Sequence, residues 1–241
     1  MNYSTTDFTL GILGGGQLGK MLLQVTSRLS IKTNVLDPSD DSPCKEICSE
    51  FTKGQLMDFD AVYNFGKKCD VVTYEIEHVN VDALEKLERN GVNVYPDSKT
   101  LKIIQDKSTQ KDFFLKNNIP TANHKYFKSL KDLENIKYPC VWKKTKFGYD
   151  GYGVKILKSK EDFKNLPETE FIIEDLIPFK KELATTVARN KSGQIEIFPI
   201  VEMMFNETSN QVEYVLCPAQ ISPELNERAK KIALKVSESF K

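Results

Sequence analysis

Apolar runs and amphipathic stretches alternate through the first hundred residues of the chain. FTLGILG (8–14) is a short apolar strand that ends in glycines. QLGKMLLQVTSRLS (17–30) spaces Leu18, Met21, Leu22, Val25 and Leu29 at helical intervals. KTNVLDP (32–38) is a second strand, stopped by Pro38. MDFDAVYNFGKK (57–68) predicts a helix, and CDVVTYEIE (69–77) a buried strand that turns polar at its C-terminal end. VDALEKLERNG (81–91) is a helix closed by Gly91, and VNVYP (92–96) another strand. Alternating strands and helices predict a parallel sheet covered on both faces.

From Ser98 the rhythm changes. SKTLKIIQDKSTQKDFFLKNNIP (98–120) predicts two short helices that end before Pro120. A smaller β-rich unit follows in HKYFKSL, CVWKKTK, GVKILKS and FIIEDLI, with a short helix near SLKDLENI. KELATTVAR, IEIFPIVEMM and VEYVLCPAQI are longer β segments. In the final stretch Leu225, Ala229, Ile232, Val236 and Phe240 line one helical face, with Glu224 and Asn226 near its start. That helix needs a sheet to cover.

Composition narrows the functional classes. The 241 residues suffice for one large or two smaller domains, and 40% apolar with 28% charged residues fits a soluble globular protein. Lys plus Arg equals Asp plus Glu, at 34 each, so no global field draws the chain to nucleic acid or anionic lipid. Any phosphate binding has to be local. The N-terminus lacks the pattern of a secretory signal, and no run approaches the length of a membrane span. Five cysteines, with only Cys44 and Cys48 close together, argue for reduced thiols in the cytoplasm and against a zinc site.

Three stretches carry candidate chemistry. Gly14, Gly16 and Gly19 satisfy G-x-G-x-x-G between a strand and a helix, with Asp37 at the end of the next strand. Such a turn admits a nicotinamide dinucleotide, an anion or other substrate, or close packing alone. Glu75 and Glu77 stand two apart at a strand's C-terminal end, where a carboxylate can accept hydrogen bonds from a sugar or amine, or simply face water. His78 is assigned no role. In a strand, Val141, Lys143 and Thr145 face one way, and Trp142, Lys144 and Lys146 the other. FGYDGYG (147–153) then crosses back towards another strand, its glycines freeing backbone N–H groups for phosphate oxygens. It is not a Walker A loop, because a strand and not a helix follows. A plain surface hairpin is the alternative. FIIEDLIPF (171–179) is a strand whose backbone can pair with an adenine edge while Glu174 meets the amino group, and Lys107 adds a cation just upstream.

Together these stretches resemble the ATP-grasp ligases of purine biosynthesis, and among them the 5-(carboxyamino)imidazole ribonucleotide synthases. The resemblance rests on GILGGGQLGKML, TYEIEHV, YPDSKTLKIIQDKSTQKDF, NIPTA, KKTKFGYDGYG and EDLIPFKKE, in the family's order and spacing over nearly the whole chain. It implies an α/β architecture: a doubly wound pre-ATP-grasp domain over 1–97, a helical linker over 98–120, an α+β ATP-grasp lid over 121–187, and the start of an incomplete β-rich subdomain over 188–241. The implied activity joins ATP, bicarbonate and aminoimidazole ribonucleotide, with ADP and phosphate released, in a cytoplasmic enzyme that is often dimeric. Positioning and neutralisation of phosphate charge by Lys and Mg²⁺ would carry the catalysis. Matched by position, Lys107 and Lys143 would contact the ATP phosphates. Gly148, Tyr149, Asp150, Gly151, Tyr152, Gly153 and Val154 would cover them. Glu174, Asp175, Leu176 and Ile177 would hold adenine, and Glu182 the ribose hydroxyls. Gln17, Leu18 and Glu75, with Tyr149 and Asp150, match substrate contacts.

The chain also departs from the resemblance. Tyr152 stands where many relatives have a basic residue, and Phe205 where they often have a polar one, although Glu202 is kept. Relatives continue beyond this length into strands with Mg²⁺-binding glutamates, including an Asn-Glu pair. Neither Asn206-Glu207 nor Asn226-Glu227 fits that role, so the chain is expected to be a C-terminally truncated member whose phosphoryl transfer is impaired. A binding-only fragment and an NAD-dependent oxidoreductase, the latter resting on the glycine turn and Asp37, are the alternatives.

Overall fold

The computed structural model describes residues 7–133, 135–148, 153–206 and 212–240. The chain divides into two compact units at Gln105/Asp106. The division falls inside the stretch expected as a linker, so one of its two helices goes with each unit.

The first unit holds β1 (Thr9–Leu13), α1 (Gln17–Arg28), β2 (Lys32–Asp37), β3 (Glu50–Lys53), α2 (Phe59–Gly66), β4 (Val71–Tyr74), α3 (Val81–Arg89), β5 (Asn93–Val94) and α4 (Ser98–Ile104). Its five strands are parallel in the order β3-β2-β1-β4-β5. Successive residues of a strand point to opposite faces, and both faces are covered: Leu13 and Leu36 join Val62, Phe65, Leu84 and Leu87, while Ile12 and Val35 join Leu23 and Cys44. This is the doubly wound architecture that the alternation predicts. β3 is the strand the pattern missed, because its four residues include Glu50 and Lys53 and carry no apolar run.

The apolar stripe read on α1 is not its core face. Leu18, Met21, Val25 and Leu29 are exposed, and the helix instead packs through Gly19, Leu23 and Thr26. The close approach explains the inversion. A Cβ on Gly19 would lie 2.7 Å from the Gly14 carbonyl oxygen, so the face turned to the sheet is the one with least side chain. α4 is tied into this unit by Ser98, whose N–H and Oγ donate to the Glu88 carboxylate at 2.8 and 2.5 Å.

The second unit begins with α5 (Lys107–Lys116), N-capped by Asp106, whose carboxylate accepts from the N–H groups of Ser108 and Thr109. β6 (His124–Phe127), β7 (Cys140–Lys144), β8 (Val154–Leu157) and β9 (Phe171–Asp175) form an antiparallel sheet in the order β6-β9-β7-β8. Cys140, Trp142, Leu157, Phe171 and Ile173 fill one face with Phe127 and Phe163. The short helix expected near 129–136 is a single 3-10 turn at Leu130–Asp132, and a second 3-10 segment spans Lys160–Asn165.

Beyond it the expected long β segments are broken. β10 (Glu182–Ala184), β13 (Val201–Phe205) and β14 (Val212–Leu216) make a three-stranded sheet, while β11 (Val187–Arg189) pairs with β12 (Ile195–Ile197). α6 (Pro223–Ser239) lies against β11 and β12, where Arg189 donates to the Ser237 and Phe240 carbonyls at 3.0 and 3.1 Å. Val212, Tyr214, Val215 and Leu216 of β14 are all exposed.

Two outcomes follow from this packing. A Cβ on Gly66 would lie 2.3 Å from Leu87 Cδ1, so Gly66→Ala overpacks α2 against α3. Urea unfolding should show a loss of about 1–3 kcal/mol for Gly66→Ala and about 2–5 kcal/mol for Leu87→Ala, with the double variant losing less than the sum. The cysteines form no disulfide. Burial pushes the Cys44 thiol up to about 11 and the Cys69 thiol up to about 12, while Cys217 is exposed. Thiol labelling of the native protein at about pH 8 should therefore modify Cys217 first and reach Cys44 and Cys69 only on unfolding.

Candidate nucleotide and substrate sites

In the first unit, β1 and β4 are neighbours, and the chain leaves their C-terminal ends in opposite directions, which opens a crevice there. The glycine turn follows β1 and Glu75 follows β4. The acid-bearing strand is shorter than expected: β4 ends at Tyr74, so Glu75 and Glu77 lie in the bend beyond it and not on a shared strand face. Gly14, at φ +102°, makes the turn in a conformation that side chains disfavour. A Cβ there would lie 2.7 Å from Glu75 Oε1, so the carboxylate sits directly over the turn.

The backbone donors of this turn are already engaged. Gly15 N–H donates to Asp37 Oδ2 at 2.7 Å, and Gly16 N–H to Glu75 Oε1 at 3.2 Å. Asp37 also accepts from Ser39 N–H at 2.8 Å. A dinucleotide turn needs those N–H groups for pyrophosphate, and two carboxylates beside it repel phosphate. The dinucleotide reading of Gly14, Gly16 and Gly19 is therefore dropped, and Asp37 fixes the turn instead of meeting a ribose. Gln17 and Leu18 stand exposed in the first turn of α1, at the same end of the sheet as Glu75.

In the second unit the sheet face opposite the Trp142 core carries the charge. Val141 and His124 lie across from Glu174, and Lys143 sits one pair further along on the same face. Lys143 is thus separated from Lys144, as the strand alternation predicts. Lys143 Nζ lies 2.8 Å from Glu174 Oε2, and Lys111 Nζ lies 3.0 Å from Glu174 Oε1. Glu174 is only 5% exposed. Burial pushes its carboxyl up, but Lys143 and then Lys111 outweigh that, and the group is held below the usual carboxylate range. The Glu174 side chain, expected to face an adenine amino group, meets two ammonium groups in this structure.

Lys107 opens α5. Its N–H donates to the Thr145 carbonyl at 2.8 Å and its Nζ to the Gly148 carbonyl at 3.4 Å, so it reaches the start of the glycine-rich loop. Tyr149, Asp150, Gly151 and Tyr152 lie outside the described residues, as does Glu207. On either side of the four loop residues the backbone is left-handed, at Phe147 (φ +59°) and Gly153 (φ +80°), and Val154 begins β8. Strand pairing on β9 ends at Asp175, which Asn123 holds through Nδ2 at 2.8 Å. Leu176 and Ile177 thus leave the ladder, with Ile177 and Phe179 exposed. Glu182, on β10, is half-buried. On the same sheet Glu202 pairs with Lys181 at 2.8 Å, and Phe205 ends β13. Lys111 was missed by the sequence reading. The available signal was its spacing from Lys107, four residues along one helix face.

Among the described residues no three His, Cys, Asp or Glu side chains converge as a metal-binding group, and no helix is long and apolar enough to cross a membrane.

Comparison with known proteins bears on both units. Residues 8–105 match the ribonucleotide synthetase preATP-grasp domain, and residues 112–241 match the ATP-grasp domain. A phosphoribosylaminoimidazole carboxylase of Candida glabrata is 35% identical, over 96% of this chain and 42% of its own length. An N5-carboxyaminoimidazole ribonucleotide synthase of Staphylococcus aureus is 34% identical, over 96% of this chain and 64% of its own. The crystal structure of an N5-carboxyaminoimidazole synthase from Aspergillus clavatus, in complex with ADP and 5-aminoimidazole ribonucleotide, superposes with a TM-score of 0.84. It is 32% identical, over 97% of this chain and 63% of its own. The chain thus spans between about two-fifths and two-thirds of the length of these relatives. With a doubly wound first unit, an antiparallel sheet bearing Lys143 in the second, and a family model matched over more than half its residues, the chain belongs to the ATP-grasp family.

Proposed function

We propose that this chain carries the ATP-binding and ribonucleotide-binding parts of a carbon–nitrogen ligase. The ligase joins bicarbonate to 5-aminoimidazole ribonucleotide and yields 5-(carboxyamino)imidazole ribonucleotide, ADP and phosphate. The observation that carries the reading is Lys143, on the charged face of an antiparallel sheet, shortly before a glycine-rich stretch and next to a strand that leaves its ladder at Asp175. Named relatives with this activity, and the Aspergillus complex with ADP and the aminoimidazole ribonucleotide, support it.

In this reading Lys143 and Lys107 neutralise phosphate charge, and the loop from Gly148 to Val154 covers the phosphates. Adenine lies against Leu176 and Ile177 and pairs with backbone groups past Asp175, because the Glu174 carboxylate is occupied. Glu182 accepts from the ribose hydroxyls. On the ribonucleotide side, Glu75 with Gln17 and Leu18 presents acceptors, which suits an amine or hydroxyl and not a phosphate. Positioning and charge neutralisation, not covalent chemistry, are what these residues supply.

No three His, Cys, Asp or Glu side chains converge among the described residues to hold the Mg²⁺ expected with ATP, and no role above depends on it. We place the activity in the cytoplasm, as a homodimer, on the strength of the sequence resemblance.

Titration calorimetry tests the site. The chain should bind ATP, and Lys143→Met should weaken binding by about tenfold or more, since a lysine–phosphate contact is charge-assisted. 5-Aminoimidazole ribonucleotide should bind too, about tenfold more weakly in Glu75→Gln. NADH should not bind. Release of ADP should require both the ribonucleotide and bicarbonate; release indifferent to the ribonucleotide would contradict the reaction.

A further inference from the structure

Lys111 lies outside every role given above, yet it is one of two cations on a buried carboxylate. The two are not equivalent. The Lys111 side chain is 13% exposed and that of Lys143 is 29% exposed. Lys111 is anchored a second time, donating to Thr121 Oγ1 at 2.6 Å. Glu174 Oε1 is fully buried and makes no hydrogen bond among the described residues; the Lys111 ammonium, 3.0 Å away, meets it as a counter-ion. The deeper lysine thus lies against two oxygens, and the shallower one has more access to solvent.

Resting on the nucleotide reading, that asymmetry has a consequence for binding. A phosphate that draws Lys143 away removes one counter-ion from a carboxylate with almost no access to water. Leaving a buried carboxylate unpaired is costly, because its charge then has neither water nor a counter-ion. Among the described residues, the other ionisable groups around it have contacts of their own. His124, across from Glu174 on β6, has its Nε2 3.6 Å from Asp112 Oδ1, while its buried Nδ1 has no hydrogen-bond partner among the described residues. Asp175 is held by Asn123, Lys107 reaches the Gly148 carbonyl, and Lys146 pairs with Asp106 at 3.5 Å. Among the described residues, Lys111 is the one cation that meets the other oxygen.

We propose that Lys111 is a positioning residue for nucleotide binding: it keeps Glu174 ionised and in place while Lys143 exchanges that carboxylate for a phosphate. Lys111 does not touch the nucleotide in this arrangement. It acts through Glu174, which serves as a resting partner for the phosphate-binding lysine.

Without Lys111, Glu174 faces two poor options when the nucleotide arrives. It can retain Lys143, which weakens binding, or it can take up a proton to become neutral. Nucleotide binding then becomes linked to proton uptake, and affinity falls as pH rises. The intact protein should show no such linkage near neutral pH, because Lys111 holds the carboxylate charged throughout.

The test is titration of the full chain with ATP, by calorimetry near neutral pH in two buffers of different ionisation enthalpy. The unaltered protein and Lys111→Arg should bind without net proton transfer. Lys111→Met should bind about tenfold or more weakly, take up protons on binding, and weaken further as pH rises. Binding by Lys111→Met with the affinity and proton balance of the unaltered protein would overturn the inference while leaving the ATP reading intact. Should Lys111→Met not fold, Glu174→Gln is compared with the double variant Lys111→Met/Glu174→Gln. Equal affinities are expected, since Lys111 then has no charge to hold. A further loss in the double variant overturns the proposal, because Lys111 would then act independently of Glu174. Failure of the unaltered chain to bind ATP would overturn the nucleotide reading itself, and this inference with it.

Discussion

A carboxylate removed from water has to be met where it lies, and the antiparallel sheet of the second unit is built around meeting one. Glu174 sits on the sheet face opposite the apolar core, where alternation along β9 places it with Ile172 and away from Phe171 and Ile173. β7 supplies Lys143 to the same face, and α5 supplies Lys111 from above it. Had the register of β7 slipped by one residue, Trp142 would face the charge and Lys143 the core. The apolar packing of one face and the ion network of the other therefore enforce the same register. Such a network adds little net stability, because desolvation offsets most of the attraction, but it directs two cations to one place.

The first unit solves the opposite electrostatic problem. Its glycine turn has the backbone donors of an anion site, yet Asp37 and Glu75 occupy them. The turn is thereby held rigid and lined by acceptors. Phosphate is disfavoured at this crevice, and a ligand that donates hydrogen bonds is favoured. The two units thus offer contrasting surfaces, cationic on the sheet of the second and anionic at the strand ends of the first.

Much of the fold was legible in the hydrophobic pattern, because strand–helix alternation and a period of two along β7 are direct consequences of which face is buried. The separation of Lys143 from Lys144 was readable for that reason. What failed did so for identifiable causes. The stripe on α1 misled because glycine packing, at Gly19, put the smallest face and not the most apolar one against the sheet. β3 escaped notice as a short strand flanked by charges. The glycine turn looked open to pyrophosphate because sequence spacing says nothing of which carboxylates fold back onto it. Both lysines on Glu174 precede it in the chain, in separate segments, and the folded sheet and α5 bring them together. The resemblance to ligases, resting on many short motifs in order, named the family where any single motif was ambiguous.

Hydrogen exchange with and without ATP tests the central claim most directly, because it locates the nucleotide without assuming a residue's role. The account predicts slower exchange across β7 and its continuation to Gly148, and across the end of β9 from Ile172 to Ile177, with the turn at Gly14 to Gly19 unchanged. Protection at that glycine turn instead, with β7 and β9 unaffected, would place the nucleotide in the first unit and contradict the account.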